Sequence, residues 1–474
     1  ADPRRVDRAS TVEPTPTPCQ TDRRRSADRR DAGDAFVMTS GAHPTDSGER
    51  RGLGTFGGVF TPSILTIVGV ILYLRFGWVV GNVGLQGTLL IVTIATSITM
   101  LTGLSIAQIA TDKQVRTGGA YYMVSRSLGA EIGGAIGVPL FIAQALSVAL
   151  YVLGFAESVN ATFPQVPARP LAIVTTIAVT VIAIVSARTA IRVQYVIMAA
   201  IALSLVSFFI GSGETITASQ EVIEASGEIV VRSDFIGPPQ ITAYTVVTEP
   251  FWEVFAVFFP AVTGIMAGVN MSGDLATPRR SIPRGTLWAI GVSYALYMVI
   301  PSFLEHRADQ LTLITDSLVM EKRAFWGPAI LIGVWGAALS SALGSILGAP
   351  RIFQALARDE VLPGPLRRLG RGSGPSDEPR LATVMSMVLA IAIVSIGDLD
   401  AVAPVLTMFF LVTYAVVNLV SAAERYLGSP SFRPTFRVHW SLSLVGGIGC
   451  VLVMFLINVR ASIAAFAVVG VIWF

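Results

Sequence analysis

From Val59 to the end of the chain, long apolar runs alternate with short polar ones. The apolar segments fall at about 59–81, 86–110, 132–159, 169–187, 191–211, 251–272, 285–304, 324–350, 381–398, 402–424, 438–459 and 461–474. Most run to roughly twenty residues, enough for a helix to cross a ~30 Å hydrocarbon layer at about 1.5 Å per residue. Lipid satisfies no backbone polar group, so such segments must be helical. The pattern predicts an all-α membrane protein with twelve transmembrane helices. The last segment makes only ~21 Å of helix, and its span is expected to be truncated where the chain ends.

Residues 1–50 follow another pattern. They are rich in Arg, Asp, Ser, Thr and Pro, with almost no apolar periodicity, and cannot bury enough surface to offset the entropy of ordering. They read as a disordered tail without the apolar core of a signal peptide, which leaves the first span as the targeting element. The membrane domain, 51–474, divides into one block of five spans at about 59–211, a second at about 251–424, and two final helices at 438–474.

Charge sets the orientation. Loops on the side of the tail hold Lys113, Arg116, Arg126, Arg188, Arg192, Arg279, Arg280, Arg284, Arg351, Arg358, Arg367, Arg368 and Arg371, whereas the opposite loops hold few basic residues, among them Arg169, Arg307 and Lys322. Positive loops stay in the cytoplasm. The tail is therefore expected to be cytoplasmic and the acidic 212–250 loop external, in a plasma (inner) membrane.

Composition agrees with this picture: 53% of the 474 residues are hydrophobic and 14% charged, with a mean hydropathy of +0.66. A soluble chain would carry about a quarter charged residues. Cys19 and Cys450, with His43, His306 and His439, are too scattered for a disulfide framework or zinc site. The net charge is +3, and every basic residue except Lys113 and Lys322 is Arg. That bias fits a GC-rich genome better than nucleic-acid binding. With no nucleophile–base set and no filter-like repeat or ring of charge, neither an enzyme nor a channel is expected, and no cofactor is implied.

The first and sixth spans carry the chemistry. FTPSILTIVGVILYLRFGWVVG contains Pro62 and Gly69, and FFPAVTGIMAGVNMSGD contains Pro260, Gly264 and Gly268. Pro removes a backbone donor and Gly tolerates unwound backbone. Such residues also serve simply as kinks and close-packing points in membranes. A matched pair opening two five-helix blocks, however, marks an inverted-repeat transporter whose substrate site lies at the breaks. Neither break contains Asp, Glu, Lys or Arg centrally. Unwound carbonyls suit Na⁺ or K⁺, and free N–H groups suit an anion.

At GVILYLRFGWVVG, FPAVTGIMAGVNMSGDL, ALYVLGFAES and GAPRIFQALARDEVLP, continued by SFRPTF and VMFLIN, the sequence resembles the cation-chloride cotransporters of the amino acid-polyamine-organocation superfamily, and a prokaryotic sodium-coupled member in particular. The resemblance implies a LeuT-like 5+5 inverted repeat with helices 1 and 6 broken. It implies K⁺ binding at Thr66, Ile67, Tyr151, Pro260 and Thr263. It implies chloride binding at Gly69, Val70 and Ile71, and at Gly264, Ile265 and Met266 with Tyr414. A Ser pair on the eighth helix distinguishes sodium-coupled members, implying Na⁺ binding by Ser340 and Ser341 with Leu65, Val68 and Ala337. Arg75 with Glu157 would form an external gate, and Asp274 an internal one whose usual Lys partner is replaced by Gly57. Two departures stand out: Thr66 replaces the usual Asn, and Val68 replaces the Trp of animal sodium-coupled members.

The implied function is secondary symport of Na⁺, K⁺ and Cl⁻ by alternating access, electroneutral at one, one and two. Na-Cl or K-Cl cotransport are alternatives, as is an amino-acid permease on the same scaffold, although VGVILY lacks the Gly-small-Gly run that would admit a carboxylate. The expected partners are inorganic ions, the lipid bilayer and, as a candidate assembly, a second copy in a homodimer; no nucleic acid is expected.

Overall fold

The computed structural model describes residues 52–112, 119–185, 187–211, 247–374, 377–428 and 432–473. The expected disordered tail and most of the 212–250 loop lie outside the described residues.

A π-type turn, Phe56–Phe60, leads into α1 (Thr61–Ile67), which is followed by α2 (Val70–Leu74), α3 (Phe76–Asp112), α4 (Gly119–Leu128), α5 (Ala130–Thr162), α6 (Ala168–Val185) and α7 (Ala187–Ile210). The second block opens with α8 (Phe251–Phe258), a 3-10 turn Phe259–Val262 and α9 (Ile265–Asn270). It continues through α10 (Pro278–Glu305), short α11 (Gln310–Thr315) and α12 (Val319–Arg323), α13 (Gly327–Arg358), short α14 (Gly364–Leu369), α15 (Arg380–Ile396) and α16 (Leu399–Leu427). Two further helices, α17 (Trp440–Ile457) and α18 (Val459–Trp473), complete it.

Each of the twelve apolar segments contains helix. Ten helical stretches among the described residues are long and apolar enough to cross a membrane, while α15 has 17 residues and α18 has 15. The boundary between the first two segments differs from expectation. The chain passes from one span to the next inside α3 by a bend at Gly84, whose φ of 67° suits a residue without Cβ.

Helix neighbours reveal the internal repeat. α3 packs along α10, α5 along α13 and α6 along α15, so helices of the first block lie against their counterparts in the second. The cross pairs match as well: α5 packs on α16 as α13 packs on α7. Five is odd, so the second block enters from the opposite side of the membrane and runs inverted. The protein is an integral all-α membrane protein of the LeuT-like class.

The broken helices sit innermost. Burial reaches 89% in Phe56–Leu74 and Phe251–Asp274, as it does in Gly133–Thr162 of α5, but only 33% in α6, α7 and α17. The outer helices turn Val174, Val181, Val196, Leu203, Trp288 and Val445 outward, as a lipid-facing surface requires. A polar seam holds α17 to the bundle: Ser105 on α3 donates to Asn418 Oδ1 on α16 at 2.6 Å, its oxygen lies 2.9 Å from the Ser443 hydroxyl on α17, and Asn418 donates to Thr102 at 2.8 Å.

Candidate ion-binding site at the helix breaks

α1 closes with the Val68 amide donating to Ile64 O at 2.8 Å. Val68 (φ −82°, ψ 57°) and Gly69 (φ −114°, ψ −152°) then leave helical geometry, and α2 begins at once. The interruption therefore falls at Gly69, not at Pro62, which sits in the first turn of α1 where its missing N–H is tolerated. In the partner break, Pro260 lies in the 3-10 turn, and α9 restarts after Gly264.

The two breaks touch. A Cβ on Gly264 would lie 2.8 Å from the Ile67 nitrogen and 2.9 Å from Thr66 Cβ, so only glycine permits this approach. Likewise a Cβ on Gly69 would meet Thr66 O at 2.8 Å. Among the described residues, the amides of Gly69 and Gly264 donate to no backbone carbonyl. A buried N–H without an acceptor is uncommon, and here two occur at corresponding places.

The expected potassium residues surround this contact with partly engaged oxygens. Thr66 donates its hydroxyl to Pro62 O at 2.8 Å. Ile67 O accepts from the Tyr297 hydroxyl at 2.6 Å. Pro260 O accepts from the Thr263 amide at 3.2 Å and the Thr263 hydroxyl at 2.8 Å. Thr66 Oγ and Ile67 O each keep a further lone pair, whereas both lone pairs of Pro260 O are engaged. Tyr151 is buried on α5, and its hydroxyl has no hydrogen-bond partner among the described residues. Tyr297, on α10, gave no sequence signal because a tyrosine within an apolar run reads as packing.

Of the expected chloride residues, Gly69, Val70 and Ile71 form the start of α2, and Gly264, Ile265 and Met266 the start of α9. Val70, Ile71, Ile265 and Met266 are buried, so their amides rather than their side chains are the polar groups here. Tyr414 reaches the second break, with its hydroxyl donating to Thr263 O at 3.2 Å.

The Ser pair lies on α13, which packs against α1, and Ser340 lines one cavity with Pro62 and Thr66. Buried membrane serines usually bond back to the i−4 carbonyl, as Ser147 and Ser386 do here. Ser340 and Ser341 do not; Ser341 Oγ is buried without a partner among the described residues. Ala337, one turn earlier, is fully buried.

Arg75 closes one end. It donates to Glu157 at 2.7 and 2.9 Å and to Asp400 at 2.6 and 3.0 Å, a bidentate pair on each side. The expected partner Glu157 is thus joined by Asp400 from the first turn of α16. Two residues before it, Asp398 caps that helix by accepting from the Ala401 amide at 2.9 Å, and in sequence Asp400 is indistinguishable from ordinary acid at a helix start.

At the other end Asp274 accepts from Arg351 on α13 at 3.0 Å. Gly57 carries no charge to it, and a Cβ there would collide with the Tyr195 hydroxyl. Arg351, read in sequence only as one of the positive loop residues, is the partner that was missed. A cavity of about 90 Å³ runs from Pro62 and Thr66 past Ser340 to Asp274 and Arg351. This cavity reaches Thr66 and Ala267 beside the breaks from the basic face, and a separate cavity of about 430 Å³ lies at the Arg75 end, lined by Trp78, Glu253 and Asp400.

Comparison with known proteins matches residues 58–474 to the amino acid permease family. Solute carrier family 12 member 1 of Mus musculus is 33% identical over 94% of this chain and 44% of its own length. Member 2 of the same organism is 32% identical (92% and 40%), and member 9 of Danio rerio 34% (86% and 49%). The chain spans less than half the length of these relatives. A permease family also agrees with the expectation that the chain is not an enzyme. On residues 58–474 the chain belongs to the amino acid permease family, and its relatives in solute carrier family 12 agree with the cation-chloride cotransporter resemblance of its motifs.

Proposed function

We propose that this chain forms the ion-translocating core of a cation-chloride symporter that couples Na⁺ and K⁺ to Cl⁻ by alternating access, with one Na⁺, one K⁺ and two Cl⁻ per electroneutral cycle. The observation that carries the reading is the contact of two helix breaks where, among the described residues, the Gly69 and Gly264 amides donate to no backbone carbonyl, in segments 61–74 and 259–270 that contain no charged residue. Amides offer an anion donors without a fixed cation, and adjacent carbonyls and hydroxyls offer cations hard oxygen ligands. Opposite ions held together neutralise each other, which lets a site of dipoles carry both.

Ser340 and Ser341 support sodium coupling over K-Cl cotransport, because neither hydroxyl is spent on its own helix. Tyr151 supports potassium: it is buried on α5, which packs against α2 just past the first break, and its hydroxyl makes no hydrogen bond among the described residues. An amino-acid substrate fits less well: Val70 and Ile71 are buried where a carboxylate would need small residues. The basic loops support a cytoplasmic N-terminus in a plasma membrane. Uptake of radiolabelled Rb⁺, Na⁺ and Cl⁻ into proteoliposomes, with each ion omitted in turn, tests the reading. Mutual dependence of all three supports it, and uptake of any one that ignores the other two contradicts it.

A further inference from the structure

The cavity reaching the breaks from the basic face contains two buried amide side chains that the sites above do not use. Asn270, the last residue of α9, is 5% exposed, and neither its Oδ1 nor its Nδ2 has a hydrogen-bond partner among the described residues. Gln194 on α7 is 6% exposed, and its Oε1 is also without one. Both line the cavity. The backbone makes room for Asn270: a Cβ on Gly119 would strike its Oδ1, and one on Gly348 would lie 2.9 Å from its Nδ2.

Buried polar groups are nearly always satisfied, and exceptions call for a ligand or bound water. Three such atoms beside one cavity make a local case. At the mouth stands Asp274, whose Oδ2 accepts from Arg351 at 3.0 Å. Thr66 and Ser340 add hydroxyls along the wall. Of the three unpartnered atoms, the two oxygens suit a hard cation, whereas Asn270 Nδ2 is a donor and suits the oxygen of a water the ion retains. The Arg351 charge offsets that of Asp274, so a cation there would be held mainly by amide dipoles, weakly enough to leave.

We propose that Gln194, Asn270 and Asp274 form a staging site for a partly hydrated monovalent cation, Na⁺ or K⁺, passing between the helix breaks and the cytosol. The proposal rests on the symport reading. A cavity of about 90 Å³ gives an ion room to keep part of its water. The cation would exchange hydration stepwise, trading breaks for amides and amides for solvent.

The test is the sidedness of cation affinity in the full chain, reconstituted in one orientation. Half-saturating Na⁺ and Rb⁺ concentrations are measured from each face for the wild type, Asn270→Ala, Gln194→Ala and Asn270→Asp. Each alanine variant is expected to raise the cytoplasmic value for at least one cation by roughly five-fold, with a smaller change outside. Asn270→Asp, which adds charge, is expected to lower it. The cation that shifts identifies the user of the site. Equal shifts on both faces, or none for either cation, would overturn the proposal. A purely structural Asn270 would instead make Asn270→Leu more heat-stable with half-saturation unchanged, since the variant removes an unsatisfied amide. If one variant fails to reach the membrane, the remaining ones decide. Uptake without chloride dependence in the wild type would contradict the symport reading, while a shift confined to the cytoplasmic face would leave the staging site standing.

Discussion

The two ends of the broken-helix pair are closed by different means. At the Arg75 end, one arginine only 8% exposed binds two carboxylates from α5 and α16, themselves 32% and 55% exposed, through four hydrogen bonds. At the Asp274 end, a single 3.0 Å bond joins side chains that are 43% and 24% exposed, and the cavity lies beside it. There the backbone does more: Leu53 pairs with the segment after α9, its amide donating to Asp274 O at 2.9 Å and its carbonyl accepting from Ala276 at 3.0 Å. The difference teaches which end charge can lock. A buried guanidinium gripped by two bidentate partners is harder to release than a single exposed pair, although water reaching Glu157 and Asp400 discounts the difference. This isolated bridge ties the chain ahead of α1 to the segment after α9 by two backbone hydrogen bonds, which salt screens less than an exposed ion pair.

The sharpest break of this comparison is Arg75→Gln. It removes all four hydrogen bonds from Glu157 and Asp400, which water partly reaches, and should cost about 1.5–3 kcal/mol of the closed outer end, abolishing uptake and exposing the breaks to thiol reagents from outside in a variant with a reporter cysteine. Retained uptake would show that the outer lock is not needed. Glu157→Gln alone should be milder because Asp400 still holds Arg75, and the two carboxylate substitutions combined should exceed the sum of the singles. Strict additivity would mean the carboxylates act separately.

Between the ends, Tyr151→Phe should weaken apparent Rb⁺ affinity by about 1–3 kcal/mol, the worth of one polar partner to a buried group. Unchanged affinity in a well-expressed variant would return Tyr151 to packing. Ser340→Ala with Ser341→Ala should remove stimulation of Rb⁺ uptake by Na⁺ while the helix stays intact, since Ala is the best helix former; full sodium dependence would place Na⁺ elsewhere. The smallest effect belongs to Asp274→Asn, about 0–1 kcal/mol as for any solvated pair and fading in high salt. A loss rivalling that of Arg75→Gln would mean both ends are locked by charge.

The fold was largely legible because a bilayer demands length and apolarity, and both are linear properties of a chain. The turn at Gly84 was not, since a glycine among apolar residues has many uses. Both breaks were found, but placing the first near Pro62 would have missed by seven residues: Gly69 breaks it through the carbonyl of Thr66. Asp400 and Arg351 stayed hidden because each has an ordinary local reading, one as an acid at a helix start and the other as a cytoplasmic charge. The seam of Thr102, Ser105 and Gln108 at spacing three, facing Asn418 and Ser421, was legible as a helix face and passed unread. No linear signal marks Asn270 or Gln194, whose interest lies in what fails to contact them.

The most direct test of the central claim is Rb⁺ uptake by the reconstituted chain in chloride and in gluconate, with and without an imposed membrane potential. Unpaired amides at Gly69 and Gly264 predict that uptake falls to background in gluconate and hardly responds to voltage in chloride. Undiminished uptake in gluconate would contradict the account.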